Sequence, residues 1–128
     1  MEIMYLIDTN IFLEILLQQE KSEQCKSFLN NNIKLLCISD FSFHSIGVIL
    51  FRQNKIQTFQ FFIQEIIPLV TILSLPQNSY SALIDIKQNL SLDFDDAYQY
   101  AICKSFYCDL VTMDNDFRKI DDIKIEYL

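Results

Sequence analysis

A chain of 128 residues with a net charge of −7 and 51% hydrophobic residues, 11 Phe and 6 Tyr among them, is expected to fold as one domain spanning 1–128 and to bury roughly two-thirds of the surface its unfolded form exposes. No low-complexity stretch interrupts it, which excludes internal disorder. The acidic balance argues against holding nucleic acid by general electrostatic attraction, although carboxylates gathered around a metal raise the acidic count by themselves, and a bound cation reverses the local field.

The apolar run Ile3–Ile7 has strand length and ends in Asp8-Thr9-Asn10, three residues suited to cap a helix. That helix would turn Ile11, Phe12, Ile15 and Leu16 inward, and a shorter one over Glu20–Leu29 would end near Asn30-Asn31-Asn32. Lys34–Ser39 reads as a second buried strand, followed by Asp40 and a helix reaching Phe51, with Phe43, Ile46, Ile49 and Leu50 at helical spacing. A further helix is predicted over Ile56–Ile66, a third strand over Thr71–Leu75 before Pro76, and a helix over Ser79–Lys87. Asp93–Phe106 is helical by period, with Ala97, Tyr100, Ala101 and Lys104 in register and acids crowding the first turn. Asp109–Met113 is the fourth strand, ending in Asp114, and Ile123–Tyr127 is the candidate fifth at an edge. Strands alternating with helices imply right-handed crossovers: an α/β fold, a three-layer α/β/α sandwich around a mainly parallel sheet of four to five strands.

The sequence also excludes several chemistries. Its single glycine, Gly47, falls inside a predicted helix, so neither a G-x-G-x-x-G turn nor a G-x-x-x-x-G-K-[ST] loop exists to cradle phosphate. Cys25, Cys37, Cys103 and Cys108 contain no C-x-x-C pair, and the lone His44 lies far from the last two. No zinc site is spelled out, and reduced buried thiols are expected. The start of the chain, with an acid at position 2 and a short apolar run, resembles neither a signal peptide nor a membrane span, so a cytoplasmic location is expected.

In an open parallel sheet, ligands bind outside the carboxyl ends of the strands, where the strand order reverses. Asp8 ends the first strand and Asp114 the fourth, while Asp95 and Asp96 open a helix whose first turn should reach the same rim. Carboxylates within roughly 4–6 Å repel one another, and a raised pKa or a bound cation relieves them. Hard oxygen donors suit Mg²⁺ or Mn²⁺, which can stabilise charge on a phosphate. Each piece also has a plain structural reading: Asp8-Thr9-Asn10 as a helix cap, Asp93, Asp95 and Asp96 as complements to a helix dipole, Asp114-Asn115-Asp116 as a turn.

Three stretches together resemble the PIN-domain family: Leu6-Ile7-Asp8-Thr9-Asn10-Ile11-Phe12-Leu13-Glu14, Asp95-Asp96-Ala97-Tyr98-Gln99-Tyr100-Ala101, and Leu110-Val111-Thr112-Met113-Asp114-Asn115-Asp116-Phe117. The resemblance spans nearly the whole chain in order and spacing. It implies an α/β/α nuclease that cuts RNA with Mg²⁺ or Mn²⁺, often as the toxin of a VapC-type toxin–antitoxin pair. By position, it makes Asp8, Asp96 and Asp114 the catalytic, metal-binding acids and Asp116 an additional or water-mediated ligand. Asn10, Ser45, Asp95 and Thr112 are supporting residues. Where the family usually carries a glutamate, six residues past Ser39, this chain has Ser45 in Phe43-His44-Ser45-Ile46-Gly47. Ser45 can hold a water but brings no charge, and His44 is a further candidate for metal or phosphate. This pattern suggests a subgroup with serine at the second acidic position, and three acids suit one metal better than two.

Arg52, Lys55, Arg118 and Lys119 are candidates for gripping flanking phosphates, with solvated surface charge as the alternative. RNA, an antitoxin-like protein and a second copy forming a homodimer are the expected partners; a membrane is not. The alternative is a catalytically impaired PIN-like protein that uses its apolar helices to bind itself or an antitoxin-like partner. Aspartyl phosphotransfer also places an Asp after the first strand, but Thr9-Asn10 supplies no second acid at the next-but-one position.

Overall fold

The computed structural model describes residues 3–128. Met1 and Glu2, on which the expectation about a signal peptide drew, lie outside the described residues. Five strands, β1 (Met4–Ile7), β2 (Leu36–Ser39), β3 (Thr71–Leu73), β4 (Cys108–Thr112) and β5 (Ile125–Tyr127), form one sheet in the order β3-β2-β1-β4-β5. Every pairing is parallel. The helices are α1 (Thr9–Leu16), α2 (Ser22–Asn31), α3 (Asp40–Arg52), α4 (Ile56–Phe61), α5 (Ala82–Leu90) and α6 (Phe94–Phe106). Among the described residues, no helix is long and apolar enough to cross a membrane.

Strand alternation assigns the side chains to two cores. Ile7, Leu36, Ile38 and Val111 point to one side, where they meet Ile11, Phe12, Ile15 and Leu16 of α1, Cys25 and Leu29 of α2, and Ile46 and Leu50 of α3. The inward face predicted for α1 is the one observed. Leu6, Cys37, Cys108 and Leu110 point to the other side, under the buried stretch of α6 that runs from Ala97 to Cys103. α5 covers this core from outside with Leu83, Ile86 and Leu90. Cys25, Cys37, Cys103 and Cys108 are all free and buried, as expected from their spacing.

The helix expected over Ile56–Ile66 is broken. α4 ends at Phe61, the backbone widens into a π-helical turn over Phe62–Ile66 and then tightens into a 3₁₀ turn over Ile67–Leu69. Pro68 accounts for this: it has no N–H to donate to the carbonyl four residues earlier and its ring crowds that carbonyl, so the regular α pattern cannot continue even though Ile67 keeps helical dihedrals (φ −56°, ψ −39°). The widened turn buries Phe62 and Ile66, and Phe62 packs edge-on against Phe12 at 5.9 Å. With one glycine in the chain, left-handed backbone falls on Gln18, Lys34, Asn54, Ser91 and Tyr107. Tyr107 closes α6 at φ 57° while remaining exposed.

This topology positions the site. From β1 the chain moves outward through β2 and β3, then returns to the other side of β1 for β4 and β5, so the order reverses between β1 and β4. The crevice beyond the carboxyl ends of those two strands is where a ligand is expected.

Candidate metal centre

The alternation that points Leu6, Cys37 and Leu110 toward α6 carries on to Asp8, Ser39 and Thr112, placing three polar residues beneath the first turns of α6. Asp8 extends the ladder by donating its N–H to the Val111 carbonyl at 2.9 Å and caps α1 with its side chain. Its Oδ1 accepts from the Thr9 N–H (2.8 Å) and from Gln99 Nε2 (3.2 Å), and its Oδ2 from Thr112 Oγ1 (2.7 Å). Thr112 Oγ1 in turn accepts the Asp114 N–H at 2.9 Å, and Asp114 Oδ1 accepts the Asp116 N–H at 2.8 Å. The acids after β1 and β4 are thereby joined through one hydroxyl.

α6 brings the next acid. Asp95 Oδ1 accepts the Asp96 N–H at 3.0 Å, and Asp96 is buried while Asp95 stays exposed. Carboxylate oxygens of Asp96, Asp114 and Asp116 all lie within 4.8 Å of one another. Asp8 is not in that closest set, but with Asp95, Asp96 and Asp114 it lines one cavity of about 290 Å³, which Thr9, Asn10, Ser45 and Gln99 also line. Asp8, Asp96 and Asp114 line this one cavity, whereas the exposed Asp116 approaches Asp96 and Asp114 from the adjoining one.

The electrostatics follow from this crowding. Burial, followed by the negative charge of Asp95, Asp114, Asp8 and Asp116, pushes the Asp96 carboxyl up to about 7. Burial also raises Asp8; the hydrogen bonds from Thr112, Gln99 and Thr9 oppose that rise, and the Asp114 charge adds to it. Such a site favours either a proton or a cation. Its donors are all hard oxygens, and two buried amide oxygens, Asn10 Oδ1 and Gln99 Oε1, have no hydrogen-bond partner among the described residues. This donor set fits Mg²⁺ or Mn²⁺, with Asp96, Asp114 and Asp116 as the residues close enough together to hold it.

The other expected residues divide by face. Ser45 is half-buried and lines the acidic cavity. His44, one residue earlier on α3, is exposed and lines a separate groove with Arg52, Phe43, Phe51 and Phe59. Lys55 is exposed just before α4 and lines neither cavity beside the acids. Arg118 and Lys119 sit with Asp96 and Asp116 on an adjoining cavity of about 410 Å³. There Arg118 donates to Asn115 Oδ1 at 2.8 Å and stacks over Tyr127, while Lys119 reaches the Ser91 carbonyl at 3.2 Å.

Gln99 was not among the residues expected. It lies one turn beyond Asp96 on the same face of α6, 1% exposed. Its Nε2 donates to Ser42 Oγ at 2.9 Å as well as to Asp8, and that hydroxyl also meets Thr9 Oγ1 (2.8 Å) and Ser39 Oγ (3.1 Å). The visible signal in the sequence is an amide one turn beyond Asp96 in a helix whose other buried residues are mainly apolar.

An α/β/α fold with a five-stranded parallel sheet and an acidic hollow at its switch point defines the class of protein. The PIN domain family model matches residues 5–123, and the chain belongs to that family. A search of the curated proteins finds no match. Among solved structures, the chain is similar to DNA-bound VapBC from Salmonella typhimurium (TM-score 0.80, 18% identity, 98% of each chain covered). It is similar also to FitAcB from Neisseria gonorrhoeae (TM-score 0.79, 19% identity, 96% of each chain). A third is Mycobacterium tuberculosis VapC20, described as a sarcin-ricin loop cleaving toxin (TM-score 0.75, 11% identity, covering 95% of this chain and 98% of that one).

Proposed function

We propose that this chain is a divalent-metal-dependent endoribonuclease of the VapC-like kind, acting as the toxin of a toxin–antitoxin pair. The observation that carries this reading is the convergence of Asp96, Asp114 and Asp116 within 4.8 Å, beside Asp8, at the switch point of the sheet. Similarity to VapBC and FitAcB, and to a toxin described as cleaving the sarcin-ricin loop, supports the toxin role and RNA as substrate.

Asp96, Asp114 and Asp116 would hold Mg²⁺ or Mn²⁺, and Asp8, tied to Thr112 and Gln99, would fix the inner wall of the hollow. When bound, such an ion supplies positive charge and Lewis acidity toward a phosphodiester. Arg118 and Lys119, flanking Asp96 and Asp116, are better placed than Arg52 and Lys55 to meet the RNA backbone. Both oxygens of Asp8 accept hydrogen bonds, which disfavours it as a phosphoryl-accepting nucleophile.

One observation favours a second reading. Ser45 faces the cavity without charge, so a binding protein of reduced catalytic power, of a serine-bearing subgroup, is the alternative. RNA cleavage with and without Mn²⁺ decides, comparing wild type with Asp96→Asn and Ser45→Glu. The nuclease reading predicts Mn²⁺-dependent cleavage that Asp96→Asn abolishes. Intact RNA with wild type, and cleavage gained by Ser45→Glu, would favour the impaired protein and identify the missing acid as limiting.

A further inference from the structure

We infer that Gln99 is a positioning residue of the metal site, its Nε2 fixing the Asp8 carboxylate while its Oε1 accepts a hydrogen bond from the hydration shell of a divalent cation. The inference rests on the metal-dependent reading above and extends it to a residue outside the acidic set. Gln99 comes from α6, is 1% exposed, and lines the same cavity as Asp8, Asp96 and Asp114. Both hydrogens of its amide nitrogen are spoken for, by Asp8 Oδ1 at 3.2 Å and Ser42 Oγ at 2.9 Å. The amide orientation follows from that contact, since a flipped amide would set Oε1 against the Asp8 carboxylate.

In this orientation Oε1 is buried without a donor among the described residues, and Asn10 Oδ1, from another residue lining the cavity, is in the same condition. Buried amide oxygens are seldom left unpartnered. The occupant that suits both must donate hydrogen bonds to neutral oxygens while it neutralises the neighbouring carboxylates. A divalent cation that keeps several of its waters does both. A neutral amide also adds an oxygen to this wall without adding charge to a hollow already crowded with acids, which complements the uncharged Ser45.

The competing role for Gln99 is purely structural, a tether between α6 and Ser42 of α3. Mn²⁺ affinity of the full chain, measured by calorimetry and by the Mn²⁺ paramagnetic resonance signal, separates the two. Gln99→Met keeps the length and removes the amide, whereas Ser42→Ala cuts the tether and leaves Oε1 in place. The proposal predicts that Gln99→Met weakens Mn²⁺ binding by about tenfold or more, as losses around a metal's outer contacts do, with Ser42→Ala weakening it less than about threefold. Wild-type affinity in Gln99→Met, or equal losses in both variants, overturns the role of Gln99 and leaves the metal site standing. Failure of wild type to bind Mn²⁺ overturns both. Should Gln99→Met not fold, the wild-type protein still decides: the Gln99 side-chain amide nitrogen resonance should move on titration with Mg²⁺, and a resonance that stays fixed at saturation overturns the proposal.

Discussion

Replacing Asp96 by Asn should make the metal-free protein more stable at high pH, although the change removes a group assigned to the site. The Asp96 carboxyl is raised from 3.8 to about 7, chiefly by burial and then by neighbouring acids. Because the folded protein holds this proton more tightly than the unfolded chain, wild-type stability falls as pH climbs from about 4 to about 7 and stays at its floor above that window. At ~1.4 kcal/mol for each tenfold in proton affinity, the part of this cost that develops above pH 5 has a ceiling of about 3 kcal/mol, and relaxation of water and of the exposed Asp116 should reduce it to about 1–2 kcal/mol. Asn resembles the protonated acid in shape, so any packing difference between the two proteins is nearly the same at both pH values. Urea unfolding in chelator at pH 5 and pH 8 reads the effect. The gap in favour of Asp96→Asn should widen by about 1–2 kcal/mol between the two; a gap that is constant, or that shrinks as pH rises, would refute the electrostatic account.

Three further outcomes are expected. Mn²⁺ binding should strengthen as pH rises from 6 to 8, because the ion competes with the Asp96 proton; calorimetry that finds the same affinity throughout would contradict the assigned ligand. Thr112→Val strips a donor from Asp8 Oδ2 and an acceptor from the Asp114 N–H and should cost about 1–3 kcal/mol in urea unfolding, since both groups lose a buried partner. Tyr107 holds a left-handed conformation with its side chain in solvent, so Tyr107→Gly should raise stability by about 0.5–1 kcal/mol, visible as a higher melting temperature.

Much of this fold was legible because short-range physics dictates it. Ile3–Ile7 reads as a strand because its run is continuous and apolar, and Asp8 ends it by capping α1 with its own side chain. The 3.6-residue period named the four residues that α1 buries, and the strand–helix alternation implied the parallel sheet. It also placed Asp8, Asp96 and Asp114 at one rim. What was not legible depends on partners remote in sequence. Gln99 reads as one polar residue in a buried helix until Ser42, 57 positions away, and Asp8, 91 positions away, are seen at its amide. The tie of Asp8 to Thr112, 104 positions away, and the approach of the Asp116 carboxylate to those of Asp96 and Asp114 are hidden for the same reason. Adjacent residues on a helix diverge by about 100°, which is why Ser45 faces the acids while His44 turns to the aromatic groove. The break at Pro68 was open to a closer reading, since proline two residues past a predicted helix end already strains its last turn.

A crystal of the protein grown with Mn²⁺, and its anomalous difference map recorded near the manganese edge, tests the central claim most directly. A single strong peak in contact with carboxylate oxygens of Asp96, Asp114 and Asp116 is the predicted result. A featureless hollow at saturating Mn²⁺, or a peak held by other residues, would contradict it.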